Sequence, residues 1–260
     1  MAARSTPVPL DQWQQRLEDA ARKTTHWQRV AVLSETGSTQ DHARDLGSGA
    51  VVIAWRQTKG RGRRGRPWLD TGEEGLALSV TLPPEHAALV SIAAGVAAAE
   101  AVEETCRESG QGTPAVGLKW PNDLVLAHRK LGGILTEVQE GCLTLGIGIN
   151  CSQREFPAPL ESTATSLAMH GFEVDRLALA VHLLAQLDRW LSASEDQVVE
   201  RFAIRDTLKG RRHRFATAVG VIEGVAVRVD PTRGLVVRTS RGDLFLPANT
   251  SSVFVDADRS

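Results

Sequence analysis

The sequence has no tyrosine, only three cysteines and no long hydrophobic run. The cysteines, Cys106, Cys142 and Cys151, are odd in number, and their spacing matches no zinc or redox motif. This pattern predicts reduced, structural thiols in a reducing compartment. The longest membrane-like stretch, residues 87–99, is shorter than the roughly 20 residues of a membrane span and predicts a buried helix instead. Because no apolar signal segment opens the chain, we expect a cytoplasmic protein without a membrane partner.

The charge balance disfavours a protein that wraps nucleic acid. The formal net charge is −1 and the sequence pI is about 6.7, so bulk attraction to phosphate backbones is absent. Phe215, Phe245 and Phe254 are scattered through the C-terminal part and form no row for base stacking. An RNA-binding module therefore remains only a minor alternative, resting on one local basic segment.

Hydrophobic periodicity predicts an α+β domain over residues 1–207 followed by a small all-β domain over residues 208–260. The first domain should contain a short N-terminal helix at 10–22, with helices at 38–46, 84–106, 175–191 and 195–202 and strands at 30–33, 51–55, 76–82, 116–119, 134–138 and 142–149. The second alternates short apolar runs with turns, at 214–216, 220–229, 234–239, 243–248 and 252–255. That pattern is typical of a small antiparallel β-barrel.

Residues 57–68 form the most unusual segment, in which arginine alternates with glycine. Because glycine raises the backbone entropy cost of regular structure, we expect a mobile loop. Its guanidinium groups suit phosphate oxygens, and a loop that orders on a polyphosphate would act as a lid. A solvated basic run or an RNA contact is the alternative.

Two further segments place polar groups at turns. In Lys119-Trp120-Pro121-Asn122-Asp123 a strand runs into a proline turn that displays a lysine, an amide and a carboxylate. Lys130 precedes Gly132 and Gly133, which open an apolar strand, and can act as a fixed charge against a carboxylate or phosphate. The plain alternative is a hairpin whose loop spans residues 128–132, with Lys130 solvated.

Two last segments complete the set. Gly146 and Gly148 alternate along a strand that ends at Asn150, which leaves one strand face bare for a flat ligand. This is not a dinucleotide fingerprint, because no helix follows. Ser38 can cap a helix, whereas Thr39 and Gln40 can donate to a ligand.

Taken together and in this order, these segments resemble the biotin–protein ligases. The matching elements are Thr36-Gly37-Ser38-Thr39-Gln40, Gln57 with residues 60–66 and Trp68, Lys119 to Asp123, Lys130 to Glu137, and Gly146 to Asn150. The match covers about residues 34–150, and the C-terminal barrel looks like the SH3-like domain of these ligases. The resemblance implies a class II synthetase-like mixed sheet flanked by helices.

The resemblance also implies a two-step reaction with ATP, biotin and Mg²⁺. The biotin carboxylate would attack the α-phosphate of ATP, and a lysine of a biotin carboxyl carrier domain, as in acetyl-CoA carboxylase, would then take the biotin. Lys130, Asp123 and Arg63 would be catalytic, with Asp123 orienting or deprotonating the lysine amine. The residues that would bind the substrates are Ser38, Thr39, Gln40, Gln57, Gly60, Arg61, Gly62, Arg63, Arg64, Arg66, Trp68, Lys119, Asn122, Lys130, Gly132, Gly133, Gly146, Gly148 and Asn150. Mg²⁺ is expected mainly through the ATP phosphates, without a certain protein ligand.

One residue departs from the family pattern, and one domain is expected to be missing. Gln40 stands where the family usually has asparagine, so we expect the amide to be kept and the local geometry shifted. The short segment before Glu35 leaves no room for a winged-helix DNA-binding domain, so we expect no operator binding. A lipoate or octanoate ligase on the same fold remains the alternative enzyme, and both a monomer and a homodimer stay open.

Overall fold

The computed structural model describes residues 9–69, 72–83, 89–139, 141–230, 234–247 and 250–253. Within these ranges the helices are α1 (Leu10–Ala21), α2 (Thr39–Leu46), α3 (Val90–Glu108), α4 (Arg176–Leu191) and α5 (Glu195–Arg205). The strands are β1 (Arg29–Thr36), β2 (Ala50–Gln57), β3 (Gly75–Leu82), β4 (Gly117–Lys119), β5 (Asp123–Leu126), β6 (Arg129–Gln139), β7 (Cys142–Asn150), β8 (Arg212–Thr217), β9 (Gly220–Asp230), β10 (Gly234–Thr239), β11 (Gly242–Leu246) and β12 (Ser252–Val253).

Seven strands form one mixed sheet in the order β1-β2-β3-β7-β6-β5-β4. Strands β1 and β2 are parallel, as the α2 crossover between them requires. The remaining neighbours are antiparallel. The predicted α+β class with a mixed sheet and flanking helices is confirmed.

The helices cover the sheet with apolar stripes that the sequence predicts. In α1, Trp13, Leu17 and Ala21 are spaced so that they share one face of the helix, and all three are buried. Helix α3 is alanine-rich and almost wholly buried, so its small side chains let α4 and the sheet approach closely. Among the described residues, no helix is long and apolar enough to cross a membrane.

An ionic cluster around the buried carboxylate of Glu100 joins α3, α4 and α5. The carboxylate of Glu100 on α3 accepts from the indole Nε1 of Trp190 at 2.9 Å and from Nε of Arg201 at 2.5 Å. Arg205 lies 3.6 Å from the same carboxylate and also binds Glu103. Burial raises the pKa of Glu100, but the hydrogen bonds and the cations outweigh it, and the net pKa lies below its usual range.

The C-terminal strands form a five-stranded antiparallel sheet in the order β11-β10-β9-β8-β12. The predicted all-β character of this part is confirmed. Within the described residues the two edge strands, β11 and β12, do not pair to close a barrel. The predicted ends of the last two strands, at 248 and at 254–255, lie outside the described residues. The boundary at residues 207 and 208 stays a prediction; it falls between α5 and β8.

Several predicted boundaries are wrong, and one matters for the site. The predicted loop at 128–132 is a two-residue turn, because Ala127 and His128 both have positive φ, as in a type I′ hairpin. Lys130 therefore lies inside β6 rather than in a solvated loop. The predicted start of α3, at residues 84–88, lies outside the described residues.

Candidate functional site

The predicted site residues gather around one cavity of about 830 Å³ beside β6 and β7. The predicted residues that line it are Thr39, Gln40, Gln57, Arg61, Gly62, Arg63, Arg64, Arg66, Trp68, Lys119, Asn122, Asp123, Lys130, Gly133, Gly146, Gly148 and Asn150. Three predicted residues, Ser38, Gly60 and Gly132, are not part of the lining.

Those three residues serve the packing around the cavity. Ser38 is buried and occupies the N-cap position of α2, although its hydroxyl makes no capping bond. A Cβ on Gly132 would lie 2.6 Å from the carbonyl oxygen of Gly148, and one on Gly60 would lie 3.0 Å from that of Trp68. Glycine is required at Gly132 because the other backbone passes too close for a side chain, whereas at Gly60 a Cβ would force the Trp68 backbone to give by a few tenths of an ångström.

The floor of the cavity is a pair of glycines covered by an indole. Gly133 of β6 and Gly148 of β7 are register partners across the two strands. A Cβ added to Gly148 would lie 2.5 Å from Cζ2 of Trp68, and one added to Gly133 would lie 3.3 Å from its Cζ3. The bare strand face predicted from the glycine spacing exists, and here the flat group on it is the side chain of Trp68.

Lys130 stands beside this floor and is held by main-chain and side-chain contacts. Its Nζ lies 2.6 Å from Oδ1 of Asp123 and 5.8 Å from the centroid of the Trp68 ring. Its backbone N–H donates to the carbonyl of Thr163, and its carbonyl accepts from Thr165, each at 2.8 Å. The ammonium therefore has a fixed place, as an electrostatic role requires.

The polar side chains of the first predicted motif line another part of the cavity. The Thr39 backbone N–H and hydroxyl both donate to Oε1 of Gln57, at 2.9 and 3.0 Å. The Thr39 hydroxyl also contacts the hydroxyl of Ser79 at 2.7 Å. These bonds hold Gln57 by its carbonyl oxygen and leave its amide nitrogen as the group that can donate to a ligand.

Gln40, the residue that departs from the family pattern, is buried against Gly146. Its Nε2 donates weakly to the carbonyl of Leu135 at 3.3 Å and to the hydroxyl of Thr144 at 3.4 Å. A Cβ on Gly146 would lie 2.9 Å from Cδ of Gln40. The missing side chain at Gly146 thus makes the room that the longer glutamine needs.

The arginine–glycine segment folds as a narrow hairpin, which the sequence did not predict. Gly62 donates to the carbonyl of Arg66 at 2.7 Å, and Trp68 donates to that of Gly60 at 3.0 Å. Arg64 and Gly65 form the tip with positive φ values of 58° and 72°. Alternating glycines permit this stem because no Cβ obstructs the close strands.

Arg61 anchors the base of this hairpin to carboxylates. Its guanidinium binds both oxygens of Asp41, at 2.7 and 2.8 Å, and reaches Glu137 at 2.9 Å. The hydrogen bonds from Arg61 lower the pKa of Asp41 below its usual range, and the pKa of Arg61 is raised by the same bonds. Although Arg61 lines the cavity, its donors are largely committed to protein acceptors rather than open to phosphate.

Arg63 and Arg64 reach toward the cavity and the C-terminal sheet. Nη1 of Arg63 donates to Oδ1 of Asn122 at 3.2 Å, and its Nη2 donates to the carbonyl of Ser251 at 3.3 Å. Burial lowers the pKa of Arg63 from its usual value. Arg64 donates to the Ser252 hydroxyl and to the Thr250 carbonyl, each at 3.0 Å.

The two predicted asparagines are oriented by their own amide bonds. Nδ2 of Asn122 donates to the carbonyl of Ile134 at 2.7 Å, and Nδ2 of Asn150 donates to that of Thr165 at 2.9 Å. In each case the amide oxygen is turned the other way, and that of Asn122 accepts from Arg63. The substrate-binding role predicted for both residues stays a prediction.

Besides Ala77, Leu78 and Ser79 of β3, two parts of the cavity wall were not predicted from the sequence. One is the connection after β7, which contributes Phe156, Pro159, Leu160 and residues 162–164. The other is the C-terminal sheet, which contributes Ala216, Ser252 and Val253. The connection after β7 carries no periodic or charged motif, so no local signal could have found it. The strands of the C-terminal sheet were predicted, but no local signal places them against the cavity.

The cysteines are not part of this chemistry. None of the three forms a disulfide, as predicted. Burial raises the pKa of Cys106 to about 11 and that of Cys151 to about 12. Both thiols therefore stay protonated at neutral pH and are poor nucleophiles.

The arrangement suits a ligand with a flat or apolar part and an anionic end. Lys119, Lys130, Arg63 and Arg66 line the cavity, while Asp123 is the one carboxylate among the described lining residues. Several cations around one carboxylate stabilise negative charge that two reactants bring together.

Comparisons with known proteins give the same indication. The sequence model of the Biotin/lipoate A/B protein ligase family matches residues 29–153. The chain is 34% identical over 221 residues to the biotin–[acetyl-CoA-carboxylase] ligase of Mycobacterium tuberculosis, covering 78% of this chain and 81% of that protein. It is 31% identical over 229 residues to the bifunctional ligase/repressor BirA of Bacillus subtilis, covering 79% and 68%.

Solved structures agree with the sequence relatives. The biotin protein ligase of Aquifex aeolicus in complex with biotin and ATP superposes with a TM-score of 0.78 at 28% identity, over 88% of this chain and 99% of that one. The fold, the order of the motifs along the chain and the length of the sequence match all indicate the same family. The chain belongs to the biotin protein ligases of the Biotin/lipoate A/B protein ligase family.

Proposed function

We propose that the protein is an ATP-dependent biotin–protein ligase. One observation carries this function: a single cavity gathers the separate motif segments of a biotin ligase, and Lys130 at its floor lies beside both Asp123 and the Trp68 ring. Relatives in sequence are ligases by name, and a structural neighbour of the same fold holds biotin and ATP.

In the first step a biotin carboxylate oxygen attacks the α-phosphorus of ATP, and the bond to pyrophosphate breaks. The product is biotinyl-5′-AMP, a mixed anhydride. Two anions must meet, so the barrier falls when fixed cations neutralise the approach. Lys130 is the best placed cation because Asp123 and the Trp68 ring hold its ammonium beside the floor.

In the second step the amine of a carrier lysine attacks the acyl carbon, and AMP leaves with the bonding electron pair. The amine must lose its proton before or during this attack. Asp123 is the one carboxylate in the described lining. We assign it to orienting the incoming amine and accepting its proton, with Lys130 holding the carboxylate in place.

The described residues do not form a cage for Mg²⁺. The one carboxylate of the described lining is paired with Lys130. Within the described ranges, the one cluster of groups suited to a metal is Glu104, Glu108 and His182, which lies on α3 and α4 outside the lining. Mg²⁺ keeps several waters and often binds through substrate phosphates, so we propose that it enters with ATP.

The acceptor is proposed to be a biotin carboxyl carrier domain, since the relatives act on acetyl-CoA carboxylase by name. The test is to incubate the purified chain with biotin, Mg-ATP and such a domain and to weigh the carrier by mass spectrometry. We expect a mass gain of one biotinyl group, with one AMP released per group transferred. A carrier whose acceptor lysine is replaced by arginine is the matched control.

The same assay separates the alternative enzyme. Lipoate or octanoate in place of biotin should leave the carrier unmodified, and labelling of a lipoyl domain with lipoate would overturn the assignment. An RNA-binding role is disfavoured because Arg61, Arg63 and Arg64 donate to protein acceptors instead of facing outward together.

A further inference from the structure

The tip of the arginine–glycine hairpin is bound to the C-terminal sheet. Arg64 donates to the hydroxyl of Ser252 and to the carbonyl of Thr250, and Arg63 donates to the carbonyl of Ser251. Three consecutive residues thus accept from two neighbouring arginines, 186 to 188 positions away in the chain. Ser252 also lines the cavity, so the contact closes its wall.

The backbone at the tip is bent in the way this contact needs. Arg64 has φ 58° and ψ 35°, the left-handed conformation that residues with a Cβ rarely adopt. Gly65 continues the same bend with φ 72°. An arginine in this conformation persists where surrounding bonds favour it, and the bonds from its guanidinium to residues 250 and 252 supply that preference.

The base of the hairpin is held separately, by different partners. Arg61 binds Asp41 of α2 and Glu137 of β6, both in the catalytic domain. The tip can therefore leave the C-terminal sheet while the base stays attached. The C-terminal sheet therefore sets the position of the tip, whereas α2 and β6 set the position of the base.

We propose that residues 250–252 are a latch that holds the hairpin closed, and that Arg64 is the positioning residue that engages it. This inference rests on the proposed function. A closed hairpin keeps biotinyl-5′-AMP in the cavity until the carrier lysine attacks. When the latch opens early, the adenylate escapes from the cavity. Water then attacks its acyl carbon, and biotin and AMP form without biotinylation of the carrier.

The test measures the escape of pre-formed adenylate. Enzyme loaded with radiolabelled biotinyl-5′-AMP is diluted into excess unlabelled adenylate, and the off-rate is followed by rapid filtration. Arg64→Ala should raise the off-rate about fivefold to tenfold, as loss of exposed charge-assisted hydrogen bonds implies. Ser252→Ala, which removes one acceptor, should raise it about twofold to threefold. The AMP released per biotinylated carrier should rise in the same order.

A double-mutant cycle separates the latch from a direct phosphate contact. If Arg64 acts through Ser252, then Ser252→Ala should add almost nothing in the Arg64→Ala background. Additive effects of the two changes, or an unchanged off-rate in Ser252→Ala, would overturn the latch. Partial rescue by Arg64→Lys is expected, since a lysine can reach one of the two acceptors but not both.

The matched control is Arg238→Ala, an exposed arginine of the same sheet that pairs with Asp243 and does not line the cavity. Its off-rate should equal that of the unmodified protein. Thermal unfolding of every variant checks that the fold is intact. If the unmodified protein forms no adenylate, the proposed function fails; if it forms adenylate and all off-rates are equal, the latch alone fails.

Discussion

Replacing Lys130 by alanine should separate catalysis from stability. The structure shows its ammonium 2.6 Å from the Asp123 carboxylate and beside the Trp68 ring. An oriented charge that meets a developing anion is typically worth about 2.7–4 kcal/mol. At 1.36 kcal/mol per factor of ten, adenylate formation should slow by roughly 100-fold to 1,000-fold.

The fold should tolerate the same change. The side chains of Lys130 and Asp123 are 41% and 27% exposed, and ion pairs in such positions contribute about 0–1 kcal/mol. The hydrogen bonds that fix this part of β6 come from the main chain of Lys130 to Thr163 and Thr165, and alanine keeps them. The melting temperature should therefore change by only a few degrees.

The assay is a single-turnover measurement of biotinyl-5′-AMP formation from radiolabelled ATP, stopped by acid quench. Arg129→Ala is the matched control, because Arg129 precedes Lys130 in β6 and is exposed, with one long contact of 3.5 Å to the carbonyl of Glu161. Adenylation by Lys130→Ala within about threefold of the unmodified protein would refute the electrostatic role. A large loss of stability would instead assign Lys130 to structure.

Three other perturbations follow from the structure. Glu100→Ala should cost about 1–3 kcal/mol in urea unfolding, because it leaves the buried indole N–H of Trp190 without its acceptor, while Arg205 keeps its pair with Glu103. The pKa of Glu100 is lower in the folded protein than in the unfolded one. The stability that the ionised Glu100 carboxylate contributes is therefore fully present above the unfolded pKa near 4.5. It is lost as the pH falls from there through the folded pKa. Gly148→Val should displace Trp68, since its Cβ would lie 2.5 Å from the ring, and should raise the KM for biotin about tenfold with a change in tryptophan fluorescence. Removal of Mg²⁺ with EDTA should abolish adenylation but leave biotin binding intact, and excess Mg²⁺ should restore it.

Each of these has a control and a contrary result. Asp19→Ala removes an exposed ion pair with Arg22 and should change stability by less than about 1 kcal/mol; an equal loss in both variants would contradict the buried-cluster argument. Gly37→Ala adds a Cβ that meets nothing within 4 Å, and a KM rise matching that of Gly148→Val would exclude a steric cause. Full adenylation in EDTA would show that ATP needs no metal here.

Local patterns in the sequence were enough for much of the fold. The apolar stripe of Trp13 and Leu17 indicates the buried face of α1, and the helix predicted at 175–191 is found as α4. The cavity floor could also be predicted, because glycines at alternate strand positions leave one strand face bare whatever the rest of the chain does. Boundaries that depend on turn conformation could not be predicted in this way. Ala127 and His128 both have positive φ, although neither is the glycine or asparagine that usually signals it.

The amino-acid sequence by itself determined which kinds of group the site would contain and roughly which strand or loop would carry them. It did so because burial and backbone preference depend on neighbours within a few residues. Only the tertiary structure decided the partners: that Arg61 binds carboxylates 20 and 76 positions away, and that Arg64 crosses to Ser252, 188 positions on. A guanidinium suits many acceptors equally well, so the chain path, and not the residue type, selects among them.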